Sequence, residues 1–170
     1  MIETDRLILR HPRCADAQAY LNICNSEFVL RFNAMTPQTI EKVKKQFSQS
    51  CEDTWVLEHR LTGQLIGTVF TEEDSIRWGV NSVEVSYFLA EEFSNQGYMK
   101  EALHALIAHL FNNRKLTCVA ARSFAPNTAS RKLLESLGFH QDGYIPHCVR
   151  GYNNVVFDDT LYSVFKEDWK

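Results

Sequence analysis

The sequence predicts an α/β domain built on a mixed β-sheet, and three observations carry that expectation. Short apolar runs alternate with amphipathic helical segments in the order β-α-α-β-β-β-α-β-α-β-β. The central hairpin demands antiparallel pairing while strand-helix-strand crossovers favour parallel pairing, so one sheet must contain both. Finally, 170 residues with 45% hydrophobic side chains supply one core of ordinary size and no second one, which predicts a single domain over residues 1–170.

Taken in chain order, Leu7-Ile8-Leu9 is an apolar run closed by His11-Pro12, where proline removes a donor and holds its predecessor extended, hence a first strand. From Asp16, Ala19, Tyr20 and Ile23 recur at helical spacing. A second helix is expected with Thr36 as N-cap, Pro37 in its first turn and Ile40, Val43 and Phe47 as its buried stripe. Trp55–His59 and Leu65–Phe70 flank Leu61-Thr62-Gly63-Gln64, which reads as a hairpin. Val83–Leu89 alternates and is rich in Val, Tyr and Phe. The strongest helix follows, with Ala102, Leu103, Leu106, Ile107, Leu110 and Phe111 on one face and Lys100, Glu101, His104 and His109 largely off it. Leu116–Ala121 is a β-compatible run. Asn127–Leu137 is a helix buried through Leu133, Leu134 and Leu137 and stopped by Gly138, and Tyr144–Val149 and Thr160–Phe165 are two closing strands.

Composition excludes several function classes. Eighteen Lys and Arg against twenty-one Asp and Glu give a net charge of −3, a poor footprint for a protein that grips phosphate backbones, so no nucleic-acid partner is expected. Charged residues at 23% and aromatics at 12% exclude a disordered chain. Cys14, Cys24, Cys51, Cys118 and Cys148 are odd in number and widely spaced, which fits neither a disulfide framework nor a C-x-x-C pair and suits a reducing cytoplasm. Charges interrupt the first twenty residues, and no window approaches the ~20 apolar residues that span a bilayer, so neither a signal peptide nor a membrane partner is expected. Glu101-x-x-His104 puts two metal-capable groups on one helix face without a matching pair elsewhere, so no metal is expected. Cys118, within an apolar strand, reads as a small core residue.

The most informative segment is Asn95-Gln96-Gly97-Tyr98-Met99-Lys100-Glu101, between a strand and the start of the strongest helix. A helix start offers unpaired amides and the positive end of a dipole, and a glycine there lets backbone approach a ligand, so the segment can cradle a phosphate or pyrophosphate. A plain turn glycine is the alternative. Neither G-x-x-x-x-G-K-[ST] nor G-x-G-x-x-G occurs.

Ser94-Asn95-Gln96-Gly97-Tyr98-Met99 resembles the pyrophosphate motif of the GNAT superfamily of N-acetyltransferases, which has Gln or Arg, two residues, Gly, one residue, then Gly or Ala. Ser94 and Met99 depart from that pattern and Gly97 keeps it. Asn127-Thr-Ala-Ser130-Arg-Lys-Leu-Leu134-Glu-Ser-Leu-Gly138-Phe139 is similar to another helix of the family, and Glu3-Thr-Asp-Arg-Leu-Ile-Leu-Arg10 to the opening of its RimJ/RimL-type branch, which acetylates ribosomal-protein alanine and serine N-termini. The Thr62–Gly67 hairpin and the Val83–Ala90 strand fit the same branch, so the resemblance covers essentially the whole chain.

The resemblance implies the GNAT acyl-CoA N-acyltransferase fold and a cytoplasmic transferase, acetyl-CoA as co-substrate, and direct attack by an amine in a ternary complex. The cofactor would lie where two central strands, Val83–Ala90 and Leu116–Ala121, splay apart. The backbone of Phe88, Leu89 and Ala90 would pair with the pantetheine, the amides of Gln96, Gly97, Tyr98, Met99 and Lys100 would hold the phosphates, and Asn127 would bind the cofactor arm. An amine with a pKa of ~8–10 must lose a proton before it attacks, and Glu84 is the candidate base; a solvent-turned or lysine-paired carboxylate is its other reading. Glu101 is expected to be structural. Many family members protonate the departing thiolate with a tyrosine seven residues after the helix-starting Asn; Leu134 stands there, and Ser130 is the candidate acid, or else a first-turn serine serving local backbone. For the acceptor, Arg31, His147, Arg150 and Tyr152 are the candidates. The acceptor is a primary amine, whether a protein N-terminus or a small molecule such as a polyamine, amino acid or antibiotic, and a non-catalytic acyl-CoA-binding module stays open, as does monomer against homodimer.

Overall fold

The computed structural model describes residues 1–169 except Met35 and Ser50. Its strands are β1 (Ile2–Glu3), β2 (Leu7–Arg10), β3 (Thr54–His59), β4 (Leu65–Glu73), β5 (Ser82–Leu89), β6 (Cys118–Phe124), β7 (His140–Arg150) and β8 (Val156–Phe165). Its α-helices are α1 (Ala17–Cys24), α2 (Glu27–Leu30), α3 (Ile40–Phe47), α4 (Tyr98–Asn113) and α5 (Thr128–Ser136). The strands form one eight-stranded sheet in the order β1-β2-β3-β4-β5-β6-β8-β7. Every pairing is antiparallel except β5 with β6, because α4 carries the chain back across the sheet between them.

The helices divide between the two faces. α4 presents Ala102, Leu103, Leu106, Ile107 and Leu110, all fully buried, to the core cluster that includes Leu9, Leu57, Val85 and Val119, and α5 adds Leu134 to it. At ~1.5–3 kcal/mol for each large aliphatic side chain removed from water, this stripe secures the helix whose first turn forms part of the site. On the opposite face α1 and α3 bury Tyr20, Val43 and Phe47 against Val56 and Phe88. Tyr20 contacts both Phe47 and Phe88 edge-on, with centroids 5.1 and 5.5 Å away.

Several boundaries differ from the sequence expectation. The helix expected to open at Thr36-Pro37 begins at Ile40, with Thr39 as its cap: Thr39 Oγ1 accepts from the Lys42 amide at 3.4 Å. Gln38 cannot be helical because the Asn25 carboxamide takes both its backbone groups, at 2.8 and 2.9 Å. β1 and α2, with two and four residues, are additional elements too short to show a period. The strand expected over Leu116–Ala121 runs from Cys118 to Phe124, since Arg122, Ser123 and Phe124 pair with Leu161, Thr160 and Asp159 of β8. The closing strands likewise extend further, each holding the other's register. Among the described residues no helix is long and apolar enough to cross a membrane.

Candidate active site

The site begins where the parallel ladder ends. Ser82–Val85 pair with Cys118–Ala121, after which β5 continues to Leu89 against β4 and β6 continues to Phe124 against β8. The strands diverge beyond Val85 and Ala121, and a cleft of about 670 Å³ opens between them, bounded by Tyr87–Leu89 of β5 and the first turns of α4 and α5.

Antiparallel pairing decides which backbone groups face this cleft. The Ala90 amide donates to the Ile66 carbonyl at 2.8 Å, so in the uninterrupted β4–β5 register Ala90 and Phe88 occupy hydrogen-bonded pairs while Leu89 and Tyr87 do not. The N–H and C=O of Leu89 and Tyr87 therefore point toward the opening. This corrects the expected trio: of Phe88, Leu89 and Ala90, only Leu89 offers its main chain to a ligand, joined by Tyr87.

The second set of donors is the start of α4. Gly97 has φ +81° and is its N-cap; the first intrahelical bond runs from the Glu101 amide to the Gly97 carbonyl, leaving Tyr98, Met99 and Lys100 without an upstream carbonyl. Gly97, Tyr98, Met99 and Lys100 all line the cleft. Gln96 does not line it: its carbonyl accepts from Arg6 Nη1 at 2.9 Å and its carboxamide donates to the Glu92 carbonyl. Ser94 is turned to the Glu91 carbonyl at 2.7 Å, so its hydroxyl is satisfied within the loop.

A clamp from the β1–β2 corner fixes this turn. Glu101 accepts from Thr4 Oγ1 at 2.6 Å, from the Arg6 amide at 2.8 Å and from Arg6 Nε at 2.6 Å. Burial pushes the Glu101 carboxyl up, but these hydrogen bonds together with the Arg6 charge outweigh it and hold the pKa below the usual carboxylate value. Glu101 is thus structural, as expected. The Arg6 guanidinium also lies over the Tyr98 ring, 4.2 Å from its centroid, and Tyr98 Oη meets His59 Nε2 at 3.2 Å.

The third wall is the start of α5. Asn127 caps it, its Oδ1 accepting from the Ser130 amide at 3.2 Å, so its carboxamide NH2 is the donor it can offer to a ligand. Ser130 lines the cleft, and its Oγ lies 2.9 Å from Tyr87 Oη. Burial pushes the Tyr87 phenol up to about 12, against a smaller opposite pull from the Ser130 hydrogen bond. Sequence reasoning passed over Tyr87 because its partner lies 43 residues away.

Glu84 pairs across β5–β6 with Ala120, one residue before the strands part, and does not line the cleft. Strand alternation gives it the face of Phe88, opposite Tyr87. Burial raises its pKa; the Arg122 charge pulls it back, and Asp74, Glu72 and Asp159 push it further up. Arg122 holds Asp159 Oδ2 at 2.7 Å and donates to Cys148 Sγ at 3.2 Å. Asp159 is buried, Oδ1 has no donor among the described residues, and burial raises its pKa too, against the pull of Arg122. Glu84, Arg122 and Asp159 form a partly buried electrostatic cluster on the Phe88 face of the sheet. The sequence points to Glu84 alone, since Arg122 and Asp159 pair only through the β6–β8 register.

A second groove of about 1150 Å³ adjoins the cleft on the α2 side, with Phe28, Arg31, Phe32 and Pro126 lining both. Phe157 and Tyr152 line it as well, Phe157 stacking on Phe124 at 4.8 Å and meeting Phe32 edge-on at 6.1 Å. Glu27 and Glu91 stand at its margin. Of the acceptor candidates, Arg31 and Tyr152 reach this groove. His147 and Arg150 line neither cavity; both are exposed on β7, and the His147 amide donates to Asp158. Among the described residues no three His, Cys, Asp or Glu side chains are grouped to hold a metal ion.

Residues 6–140 match the family described as "Acetyltransferase (GNAT) domain". The chain belongs to the GNAT family and is an N-acetyltransferase. It is 26% identical over 176 residues to the "Uncharacterized N-acetyltransferase YoaA" of Bacillus subtilis (strain 168), covering 98% of this chain and 97% of that one. Two solved structures share the fold: the ribosomal-protein-S5-alanine acetyltransferase of Vibrio fischeri (TM-score 0.86, 24% identity, 99% and 97% covered) and the spermidine N-acetyltransferase of Vibrio cholerae in complex with CoA and spermine (TM-score 0.84, 18% identity, 97% and 98% covered).

Proposed function

We propose that this chain takes the acetyl group from acetyl-CoA and transfers it to the N-terminal amine of a peptide by direct attack in a ternary complex, as a RimJ/RimL-type enzyme of the cytoplasm. The observation that carries this reading is the junction of two cavities that share Phe28, Arg31, Phe32 and Pro126, one bordered by main-chain donors and the other a groove of about 1150 Å³ walled by Phe28, Phe32 and Phe157. The donor set suits acetyl-CoA: an αL glycine at a helix start with open amides for a pyrophosphate, and a strand edge for an amide-bearing arm.

Acetyl-CoA supplies the thioester. Tyr98, Met99 and Lys100 bind its phosphates through their amides, Leu89 and Tyr87 hold the pantetheine and the developing oxyanion, and Asn127 donates to the arm. Glu84, which lines neither cavity, takes the proton of the acceptor ammonium through intervening water. As the nitrogen–carbon bond forms and the carbon–sulfur bond breaks, Ser130 gives its hydroxyl proton to the sulfur, and the proton lost by nitrogen restores the balance through solvent. Because Glu84 and Ser130 lie on opposite faces of β5, the amine enters from one side of the opening and the thiol leaves from the other. Arg31 and Tyr152 position the acceptor. The second reading, a small cationic amine, is favoured by Glu27 and Glu91 at the groove margin.

Thiol release from acetyl-CoA, measured across N-terminal peptides and polyamines, tests both. Release that depends on a peptide, with mass spectrometry placing the acetyl group on its N-terminus, supports the first reading. Turnover with polyamines alone transfers the case to the second, and no turnover with any amine counts against both.

A further inference from the structure

We infer that Tyr87 is a positioning residue for the departing thiolate, its phenol donating to Ser130 Oγ so that the serine hydroxyl points its own hydrogen into the cleft. This rests on the proposed role of Ser130 as the group that protonates sulfur, and it assigns a task to a side chain outside the expected site.

Geometry carries the inference. Both residues line the cleft, their oxygens lie 2.9 Å apart, and the two approach from different elements. Ser130 is held at its backbone by the Asn127 cap, and its hydroxyl hydrogen can rotate, so either oxygen can be the donor across the 2.9 Å contact. A serine hydroxyl has one hydrogen and can point it anywhere its neighbours allow. If the phenol occupies one lone pair as donor, the serine hydrogen must point elsewhere, and the cleft is the open direction. The phenol carries its hydrogen throughout the working pH range, because burial has raised its pKa to about 12. It also polarises the serine O–H, as hydrogen bonds in series do. The atoms balance without a phenolate: the carbon–sulfur bond breaks, sulfur takes the Ser130 proton, and Ser130 recovers one from the proton released by the acetylated nitrogen through solvent, while Tyr87 keeps its own. Leu134 occupies the helix position of the tyrosine that the resemblance associates with this step, so Tyr87 brings a phenol to the neighbourhood from the strand instead.

Two measurements test this on the intact chain. The first compares acetyl-CoA with its acetyl-seleno analogue, whose selenolate leaves without needing a proton. Tyr87→Phe should lower kcat with acetyl-CoA about tenfold, with both KM values within about twofold, and this loss should shrink to under about twofold with the seleno donor. Ser130→Ala should show the same donor dependence, and the double variant should be no slower than Ser130→Ala alone. The second measurement is calorimetric binding without turnover. CoA should bind wild type about fivefold more tightly than desulfo-CoA, and that preference should vanish in Ser130→Ala and weaken in Tyr87→Phe. A Tyr87→Phe variant equal to wild type in both measurements, or equally slow with both donors, overturns the inference. If Ser130→Ala shows the donor dependence and Tyr87→Phe does not, the inference fails while the role of Ser130 stands. If Ser130→Ala itself lacks it, both fall.

Discussion

On the donor side of the parted sheet the groups offered to a ligand are main-chain amides, those of Leu89 and Tyr87 on β5 and of Tyr98, Met99 and Lys100 on α4. On the acceptor side they are side chains: Phe28 on α2, Phe32 and Tyr152 on the connecting segments and Phe157 at the start of β8, with Glu27 and Glu91 also lining the groove. A site made of backbone needs only its geometry, so Ser94 and Met99 can depart from the motif while the Gly97 turn persists. A site made of side chains changes with every substitution, which lets the acceptor drift on a constant scaffold.

The largest effect should come from breaking the donor side at Gly97, the left-handed N-cap of α4. Gly97→Glu forces a side chain into φ +81° and sets a carboxylate at the helix end that faces the phosphates. Open space surrounds the new Cβ, the nearest atom being Arg6 Nη2 at 3.4 Å, so the fold should survive. CoA affinity by calorimetry should fall about a hundredfold or more with an unchanged far-ultraviolet spectrum. Near-native affinity would show that the amides of this turn do not carry the cofactor.

Glu84→Gln should come next, and it separates chemistry from binding. A base works deprotonated, and burial raises the Glu84 pKa, so the acid limb of kcat/KM should lie above the ordinary carboxylate range and activity should fall as pH drops through it. Glu84→Gln should lower kcat about a hundredfold at neutral pH and remove that limb, leaving CoA affinity unchanged. An unaltered pH profile would move the base elsewhere, and Asp159 would then be the nearest candidate on the same side.

How much of this was legible in the sequence follows the same division. The α4 stripe is visible because six apolar residues repeat at helical spacing, and Gly97 because it interrupts a strand-to-helix junction. Asn127 and Gly138 punctuate α5 as caps do. Locally encoded features such as these survive translation into structure. Thr36 and Thr39 look alike as caps until Asn25 claims Gln38 from 13 residues away. Tyr87 with Ser130, and Arg122 with Asp159, are pairings across 43 and 37 residues that exist only once β5 meets α5 and β6 meets β8. Even the Phe88–Ala90 expectation erred in phase alone, because which amides face outward depends on the register with β4.

A smaller effect probes the acceptor side. Phe32 lines both cavities and meets Phe157 edge-on, yet it stands outside both core clusters, so Phe32→Ala should remove groove wall at little cost to stability. The KM for the acceptor should rise about fivefold to tenfold, in line with an aromatic contact worth ~1–1.5 kcal/mol, while the KM for acetyl-CoA holds. An equal rise in both would mean that Phe32 supports the donor cleft, and that the groove is not where the amine is read.

The smallest effect comes from adding to the donor side what the motif has lost. Ser94 lines the cleft beside the Gly97 turn, its hydroxyl spent on the Glu91 carbonyl at 2.7 Å. Ser94→Arg would add a cation next to amides that already satisfy the phosphates, and the new side chain would be partly exposed and screened. An ion pair in such a place is worth ~0.2–1 kcal/mol, so CoA affinity should rise only about threefold at low salt and lose that gain near 0.5 M salt. A gain of about a hundredfold would mean that the amides leave the phosphates poorly held and that a side chain at position 94 is the main anchor. The modest, salt-sensitive gain is the outcome that a backbone cradle requires, because the amides already supply the hydrogen bonds that hold the phosphates and an exposed cation adds only a screened charge interaction.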